Sequence, residues 1–121
     1  MKYMLLIYNN RATIEALSES ERSELSGDVD AIMAELKESG ELVDTKALAD
    51  PSTAKTMRLQ GGAVAATDGP FAEAKEQFGG YLTVDVESEE RALDIARRWP
   101  DPRYGGAIEV RAVMYEAGTE M

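Results

Sequence analysis

Cysteine and histidine are both absent from this chain of 121 residues. Without cysteine it has neither disulfides nor a thiolate nucleophile, and without histidine it lacks the commonest general base and metal ligand. Its acidic residues do not form a calcium-loop pattern, and its glycines lack phosphate-loop spacing. We therefore predict no metal and no cofactor. Any catalysis has to use carboxylates, lysine, tyrosine, hydroxyls or backbone groups.

Long apolar runs and a balancing positive charge are missing as well. No stretch approaches the roughly 20 residues of a membrane span. The run at residues 3–8 is too short for a signal peptide, so we expect a cytoplasmic protein with no membrane contact. There are 13 Lys and Arg against 23 Asp and Glu, which gives a net charge of −10. A surface of that sign repels phosphate backbones and argues against nucleic-acid binding.

Hydrophobic periodicity predicts one α+β domain over residues 1–121. Strands are predicted at residues 2–8, 41–48, 80–86 and 107–114, and a hairpin at 54–59 and 63–67. One helix begins at a capping box formed by Ser18 and Glu21 and ends at Gly40. A second helix begins at Ser88 and is stopped by Pro100. This order of elements is typical of a ferredoxin-like βαββαβ sheet with an extra hairpin.

The first strand carries apolar side chains on both faces, so we expect it at the centre of the sheet beside residues 80–86. The helices of a ferredoxin-like protomer cover only one face. A second copy of the chain is the simplest cover for the other face, which predicts a homodimer with two sheets packed face to face. On this interpretation Leu6 is a core residue, and its replacement by alanine is expected to cost about 2–5 kcal/mol.

The most specific motif is Asp-Gly-Pro-Phe at residues 68–71, within the segment TDGPFAEAKEQFGGYLTVDV (67–86). Together with PSTAKTMRL (51–59) and GGAIEVRAV (105–113), it resembles the DGPF branch of the YCII-related family. The resemblance spans almost the whole chain and implies a dimeric α+β barrel. It also implies a sigma factor as a candidate partner. The His-Asp pair proposed to be catalytic elsewhere in the family cannot form here, because histidine is absent.

Asp68 and Lys75 are the candidate catalytic residues. Asp68 is either the first residue of a turn, bonding to amides just beyond it, or a base at the end of a strand. Lys75 is either a solvated charge or the group that holds an anionic or enolate oxygen. The catalytic alternative requires a pocket beside both residues that shifts the pKa of the aspartate.

The candidate ligand-binding residues are Phe71, Glu76, Tyr81 and Tyr8. Phe71 is either a core plug beneath the loop or the wall of a pocket. The two tyrosines lie near the ends of the central strands, where they either pack in the core or point a hydroxyl into a cavity. Glu76 is either a solvated partner of its neighbouring lysine or a ligand contact, and Glu73 is expected to be exposed.

Three functions remain open at this point. The first is a dimeric protein that binds a small molecule without transforming it. The second is an enzyme of lyase or isomerase type that acts on a small polar or aromatic substrate through Asp68 and Lys75. The third is an interaction module that serves a sigma factor and has no pocket.

Overall fold

A computed structural model describes residues 1–72 and 74–118. The prediction for Glu73 falls outside the described residues. The described chain forms β1 (Lys2–Asn10), α1 (Arg11–Glu15), α2 (Glu19–Ser39), β2 (Leu42–Ala47), β3 (Lys55–Gln60), β4 (Ala63–Asp68), β5 (Glu76–Asp85), α3 (Glu89–Arg98) and β6 (Ala107–Ala112). Two 3-10 turns lie at Pro51–Thr53 and Asp101–Tyr104. None of the helices in these ranges is long and apolar enough to span a bilayer.

Four strands make an antiparallel sheet in the order β2-β5-β1-β6, and β3 pairs only with β4 in a separate hairpin. This is the ferredoxin-like α+β arrangement that the order of elements predicts, with β1 and β5 in the centre. Leu5 is opposite Leu82 on one side and Val110 on the other. The hairpin interrupts the ferredoxin-like order between β2 and β5.

Local signals in the sequence determine where the helices begin and end. The Ser18 hydroxyl accepts from the Glu21 amide at 3.1 Å, and the Glu21 carboxylate accepts from the Ser18 amide at 2.9 Å. Gly40 closes α2 in the left-handed region at φ 81°, which glycine adopts without steric cost. Ser88 caps α3 in the same way as Ser18 caps α2, so both predicted helix starts are confirmed.

The core lies between the helices and one face of the sheet. Its buried apolar residues are Tyr3, Leu5, Ile32, Leu36, Leu82, Val84, Val86, Ala92, Ile95 and Trp99. The prediction that Leu6 belongs to this core is wrong. Leu5 is 1% exposed, whereas Leu6 is half-buried on the opposite face, because side chains alternate along a strand. The opposite face of the sheet, which we call the open face, carries Met4, Leu6 and Tyr8 from β1.

Two further sequence predictions needed correction. No helix was predicted at α1, a five-residue helix that is capped by the Asn10 side chain accepting from the Thr13 amide at 3.1 Å. The last strand ends at Ala112 rather than at Met114, and Met114 is 97% exposed. Both errors concern short segments, where local hydrogen bonds decide the conformation more than periodicity does.

One ion-pair cluster joins both long helices to the start of β2. The Arg91 guanidinium on α3 donates to Glu41 at 2.7 and 2.9 Å and to Glu35 on α2 at 3.2 Å. Arg98, about two helical turns further along, also donates to Glu35. The hydrogen bonds from Arg91 lower the pKa of Glu41 to about 2. The cluster therefore fixes the packing of α3 on α2 from the solvent side.

Replacing Arg91 by alanine is expected to lower the free energy of unfolding at pH 7 by about 1–3 kcal/mol, since charged hydrogen bonds of this partly buried group are lost. Arg97→Ala is the matched control on the same helix, because Arg97 is 60% exposed and pairs only with residues of α3 among its described ion pairs. Its effect should be within about 0.5 kcal/mol. Denaturant unfolding measures both.

The Arg91 effect also has a predicted pH dependence. The folded pKa of Glu41 lies below the unfolded value of 4.5, so the stabilisation is fully present above pH 4.5 and is lost as the pH falls toward about 2. The stability difference between wild type and Arg91→Ala should shrink across that window. A difference that stays constant between pH 7 and pH 3 would contradict the assignment.

Candidate functional site

Two adjoining cavities lie where the ends of β1 and β5 meet the segment between β2 and the hairpin. The larger cavity, the outer groove, has a volume of about 710 Å³, and its walls include Tyr8, Met57, Pro70, Phe71, Glu76 and Phe78. The smaller cavity, the inner chamber, has a volume of about 270 Å³, and its walls include Asn9, Arg11, Ile14, Leu25, Gly79 and Asp101. Both cavities are lined by Gln77 and by the loop residues Leu48, Ala49, Asp50 and Pro51. We call these four loop residues the shared loop segment, and the two cavities adjoin along it.

The inner chamber ends at a buried carboxylate. Asp101 is 7% exposed and begins the 3-10 turn after α3. Its Oδ1 accepts from Trp99 Nε1 at 2.8 Å, and its Oδ2 accepts from the Asn9 side-chain amide. Burial raises the pKa of the Asp101 carboxyl, and the two donated hydrogen bonds oppose that rise. The folded protein therefore binds a proton at Asp101 more tightly than the unfolded chain does. At neutral pH, where the proton is lost, the buried carboxylate lowers the free energy of unfolding.

A β-bulge makes room for the Asn9 side chain. Ile7 is opposite Gly80 and Tyr8 is opposite Phe78, which leaves Gly79 as the extra residue on β5. A Cβ at Gly79 would lie 1.8 Å from Asn9 Oδ1, so any larger residue there would have to displace the Asn9 side chain. The Gly79 carbonyl also accepts from the Leu48 amide at 2.9 Å. The bulge therefore orients Asn9 toward Asp101 and ties the shared loop segment to the sheet.

An ion pair between Arg11 and Asp50 forms part of the chamber wall. The Arg11 guanidinium donates to the Asp50 carboxylate and, at 3.0 Å, to Glu15. Asp50 also accepts from the Ser52 amide at 2.8 Å, and the pKa of Asp50 is lowered first by that amide and then by Arg11. The charge of Arg11 is thus already balanced by two carboxylates of the wall and of its own helix.

Comparison with known proteins identifies the family of this fold and site. The family model of the YCII-related domain matches residues 1–116. The chain belongs to the YCII-related family. It is also similar to an uncharacterised protein of Rhizobium meliloti (strain 1021), with 34% identity over 120 residues that cover 98% of this chain and 97% of the relative.

Three of the predicted site residues of this YCII-related chain line the outer groove: Tyr8, Phe71 and Glu76. The Tyr8 ring packs against Phe78 with centroids 5.6 Å apart, and its hydroxyl donates to Glu109 at 3.1 Å. Partial burial, followed by the hydrogen bond to Glu109, raises the pKa of Tyr8. Glu76 is the first residue of β5 and is exposed.

Phe71 is not a core plug, because its side chain is 73% exposed at the edge of the groove. Its position comes from the hairpin. Arg58 on β3 donates to the Phe71 carbonyl at 3.0 Å and places its guanidinium 4.5 Å from the ring centroid. The Thr56 hydroxyl donates to the Gly69 carbonyl at 2.8 Å, and Gly69 has φ 99°. The DGPF segment is therefore a turn held against the hairpin, and its aromatic residue is a wall of the groove.

Neither Asp68 nor Lys75 is among the described residues that line the two cavities. Asp68 is the last residue of β4; its side chain is 87% exposed and accepts from Lys55 Nζ at 2.6 Å. Lys75 is exposed in the loop that precedes β5. In this geometry Asp68 closes the open end of the hairpin opposite Lys55.

Tyr81 lies elsewhere, on the open face of the sheet. Its hydroxyl donates to Asp44 on β2 at 3.4 Å, and Lys46 lies 5.9 Å from the ring centroid. It lines a separate depression of about 660 Å³, whose walls include Lys2, Met4 and the chain after β6. The structure therefore separates Tyr81 from the groove that contains Tyr8 and Phe71.

Sequence reasoning missed the residues at the end of the chamber. Asp101 stands in a Trp-Pro-Asp-Pro stretch that indicates only a turn, and Asn9 stands where a loop was expected. The one available signal was the Gly79-Gly80 pair inside a strand, which is typical of a bulge or a close approach. Nothing in the sequence of this YCII-related chain indicates that the bulge and the turn meet.

Replacing Gly79 by alanine is expected to destabilise the fold by about 1–3 kcal/mol, because the added methyl group displaces the Asn9 amide from Asp101. Gly27→Ala is the matched control. Gly27 lies within α2, and a Cβ there meets no atom within 4 Å. The same methyl group should stabilise the helix by about 0.5–1 kcal/mol. Denaturant unfolding measures both. A Gly79 variant as stable as wild type would contradict the close fit.

Proposed function

We propose that this protein is a dimeric small-molecule-binding protein of the DGPF branch, and that its ligand occupies the inner chamber and the outer groove. The observation that carries the proposal is the pair of adjoining cavities, one of which ends at the buried carboxylate of Asp101. Ligand sites are typically concave, largely apolar and equipped with a few converging polar groups. The two cavities have these features in the part of the chain that the structure describes.

The two cavities offer a ligand different kinds of contact. Tyr8, Phe71 and Phe78 offer aromatic surface in the groove. The chamber combines apolar walls with the polar side chains of Asp101 and Asn9. Aromatic surface supplies contact area at small cost in side-chain entropy, whereas the buried polar groups supply orientation. The DGPF turn contributes because it places Phe71 at the groove, and this gives the motif a role in binding rather than in catalysis.

The ligand site is tested by filling the shared loop segment. Ala49 lines both cavities and is exposed, so Ala49→Trp should fill the space without disturbing the core. Ala63→Trp at the hairpin tip is the matched control, because Ala63 lines neither cavity. In a thermal-shift screen of a metabolite library, compounds that raise the Tm of wild type should raise that of Ala63→Trp equally and that of Ala49→Trp little. No stabilising compound, or equal stabilisation of both variants, would refute the site.

The proposed dimer rests on the open face. Met4, Leu6 and Tyr8 present half-buried apolar surface there, on the side of the sheet away from the helices. This apolar surface is a row along β1, with Arg111 and Glu109 of β6 opposite Met4 and Leu6, and covering it would remove apolar area from water. A second copy packed face to face would cover it, with Tyr81 and its charged neighbours at the periphery.

Sedimentation equilibrium at micromolar concentration should find a dimer, and Leu6→Lys should shift it to monomer because a charge is then buried in the interface. Leu59→Lys is the control, since Leu59 is 72% exposed on the hairpin and away from the four-stranded sheet. It should leave the dimer intact. A monomeric wild type, or equal effects of the two lysines, would rule out this interface.

The lyase or isomerase hypothesis stays a prediction, with Asp68 as base and Lys75 as its electrostatic partner. Asp68→Asn tests it, because the change keeps the shape of the side chain and removes its charge. A tenfold loss of turnover on a substrate from the screen, without loss of stability, would favour catalysis. Association with a sigma factor also stays a prediction that rests on the family resemblance.

A further inference from the structure

We infer that the inner chamber selects ligands whose inner end is a hydrogen-bond donor, an amine or a hydroxyl on a small apolar body, and that Asp101 is the acceptor. This inference rests on the proposed function, because it names the ligand class of the same site. It depends on three properties of the chamber: the unused capacity of the carboxylate, the apolar walls, and the sign of the local charge.

The Asp101 carboxylate has acceptor capacity left. An ionised carboxylate has about four lone-pair directions. Trp99 Nε1 uses one on Oδ1, the Asn9 amide uses one on Oδ2, and the backbone amide of Asp101 itself uses a third, so one direction remains for a ligand. Asp101 also lines the chamber, so the group borders both a fixed pair of donors and open space. A buried carboxylate gains from a further donor, since its present hydrogen bonds offset only part of the cost of its desolvation.

The two donors also hold the carboxylate in one orientation before a ligand arrives. Asn9 is held in turn by the bulge, because its Oδ1 occupies the space that a side chain at position 79 would need. A ligand therefore meets an acceptor that loses little side-chain entropy on binding. Such preorganisation is a property of specific binding sites rather than of surface carboxylates.

The rest of the chamber determines the body of the ligand. Its walls are mainly the apolar side chains of Ile14, Leu25, Leu48, Ala49 and Pro51. Pockets for drug-sized ligands have volumes of roughly 300–1,000 Å³. A chamber of about 270 Å³ suits a smaller group, such as one ring or a short branched chain. Any longer part of the ligand extends past the shared loop segment into the aromatic groove.

Charge in the chamber selects against anions. Of its charged side chains, Arg11 is paired with Asp50, and Asp101 is left without a cation among the chamber walls. A carboxylate ligand would meet the like charge of Asp101 in a poorly solvated space, where such repulsion is strong. An ammonium group would meet its counter-charge. Burial raises the pKa of Asp101, because the ionised carboxylate is unfavourable in this poorly solvated place. A bound cation would offset that cost, which also favours an ammonium ligand over a carboxylate.

The test uses three probes that share one ring: benzylamine, benzyl alcohol and benzoate. The chain has one tryptophan, so the indole N–H of Trp99 gives a single resonance in a proton–nitrogen NMR spectrum. Because that N–H donates to Asp101, the resonance reports binding at the carboxylate. Benzylamine should shift it and bind most tightly, benzyl alcohol should shift it and bind more weakly, and benzoate should bind at least tenfold more weakly than benzylamine.

Asp101→Asn should weaken benzylamine at least tenfold and abolish its preference over benzoate. Asp94→Asn is the matched control on the exposed side of α3 and should change neither. The comparison of the amine, the alcohol and the carboxylate probe uses the wild-type protein alone. It therefore tests the preference for a donor even if Asp101→Asn does not fold. The inference is overturned if benzoate binds as well as benzylamine, if none of the three probes shifts the indole resonance, or if Asp101→Asn folds and binds benzylamine as wild type does.

These failures can be told apart from failure of the proposed function. If the library screen finds compounds whose binding depends on Ala49 but not on a donor group or Asp101, the cavities bind ligands of another class. If no compound of the library or of the probe series binds, both proposals fall together.

Discussion

The central position of β1 constrains almost every other part of this protein. Because its side chains alternate, Tyr3, Leu5 and Ile7 turn toward the helices, and Met4, Leu6 and Tyr8 turn toward the open face. The helices α2 and α3 can then cover only one side. Asn9 continues this alternation on the side of Ile7, where it contacts Asp101, and the bulge on the neighbouring strand leaves room for its side chain. One strand thus contributes to the core, to the uncovered face and to the candidate site.

The bulge at Gly79 makes room for the polar end of the chamber. A side chain at position 79 would need the volume that the Asn9 amide occupies, and the carboxylate would then lose one of its two side-chain donors. Glycine at position 79 removes that conflict and frees a carbonyl for the Leu48 amide. The same residue therefore makes room for the polar end of the chamber and holds the loop segment that separates chamber from groove. Natural bulges are frequent beside functional sites for this reason.

The fold was predictable because its signals are local. The capping residues Ser18 and Ser88, the left-handed Gly40 and the alternation of the strands each depend on a few neighbours in sequence. The candidate site was predictable only in part. For Tyr8 and Phe71 the sequence left two interpretations open, core packing or the wall of a cavity, and in the structure both residues line the groove. Asp101 was not singled out as a site residue, since its environment depends on Asn9, 92 positions earlier in the chain, and on its burial, neither of which a sequence pattern expresses.

The DGPF motif shows how a specific sequence can have a structural cause. Its glycine adopts a positive φ, its proline stiffens the exit of the turn, and its aspartate pairs with Lys55 across the hairpin. These features would suffice for a turn alone. The phenylalanine is the exception, because a ring that is 73% exposed gains little from hydrophobic burial. Its carbonyl and its ring are both held by Arg58, so the exposed aromatic surface keeps a fixed position at the groove. Under the proposed function, this exposed ring at the edge of the groove is a ligand contact rather than a contribution to the stability of the turn.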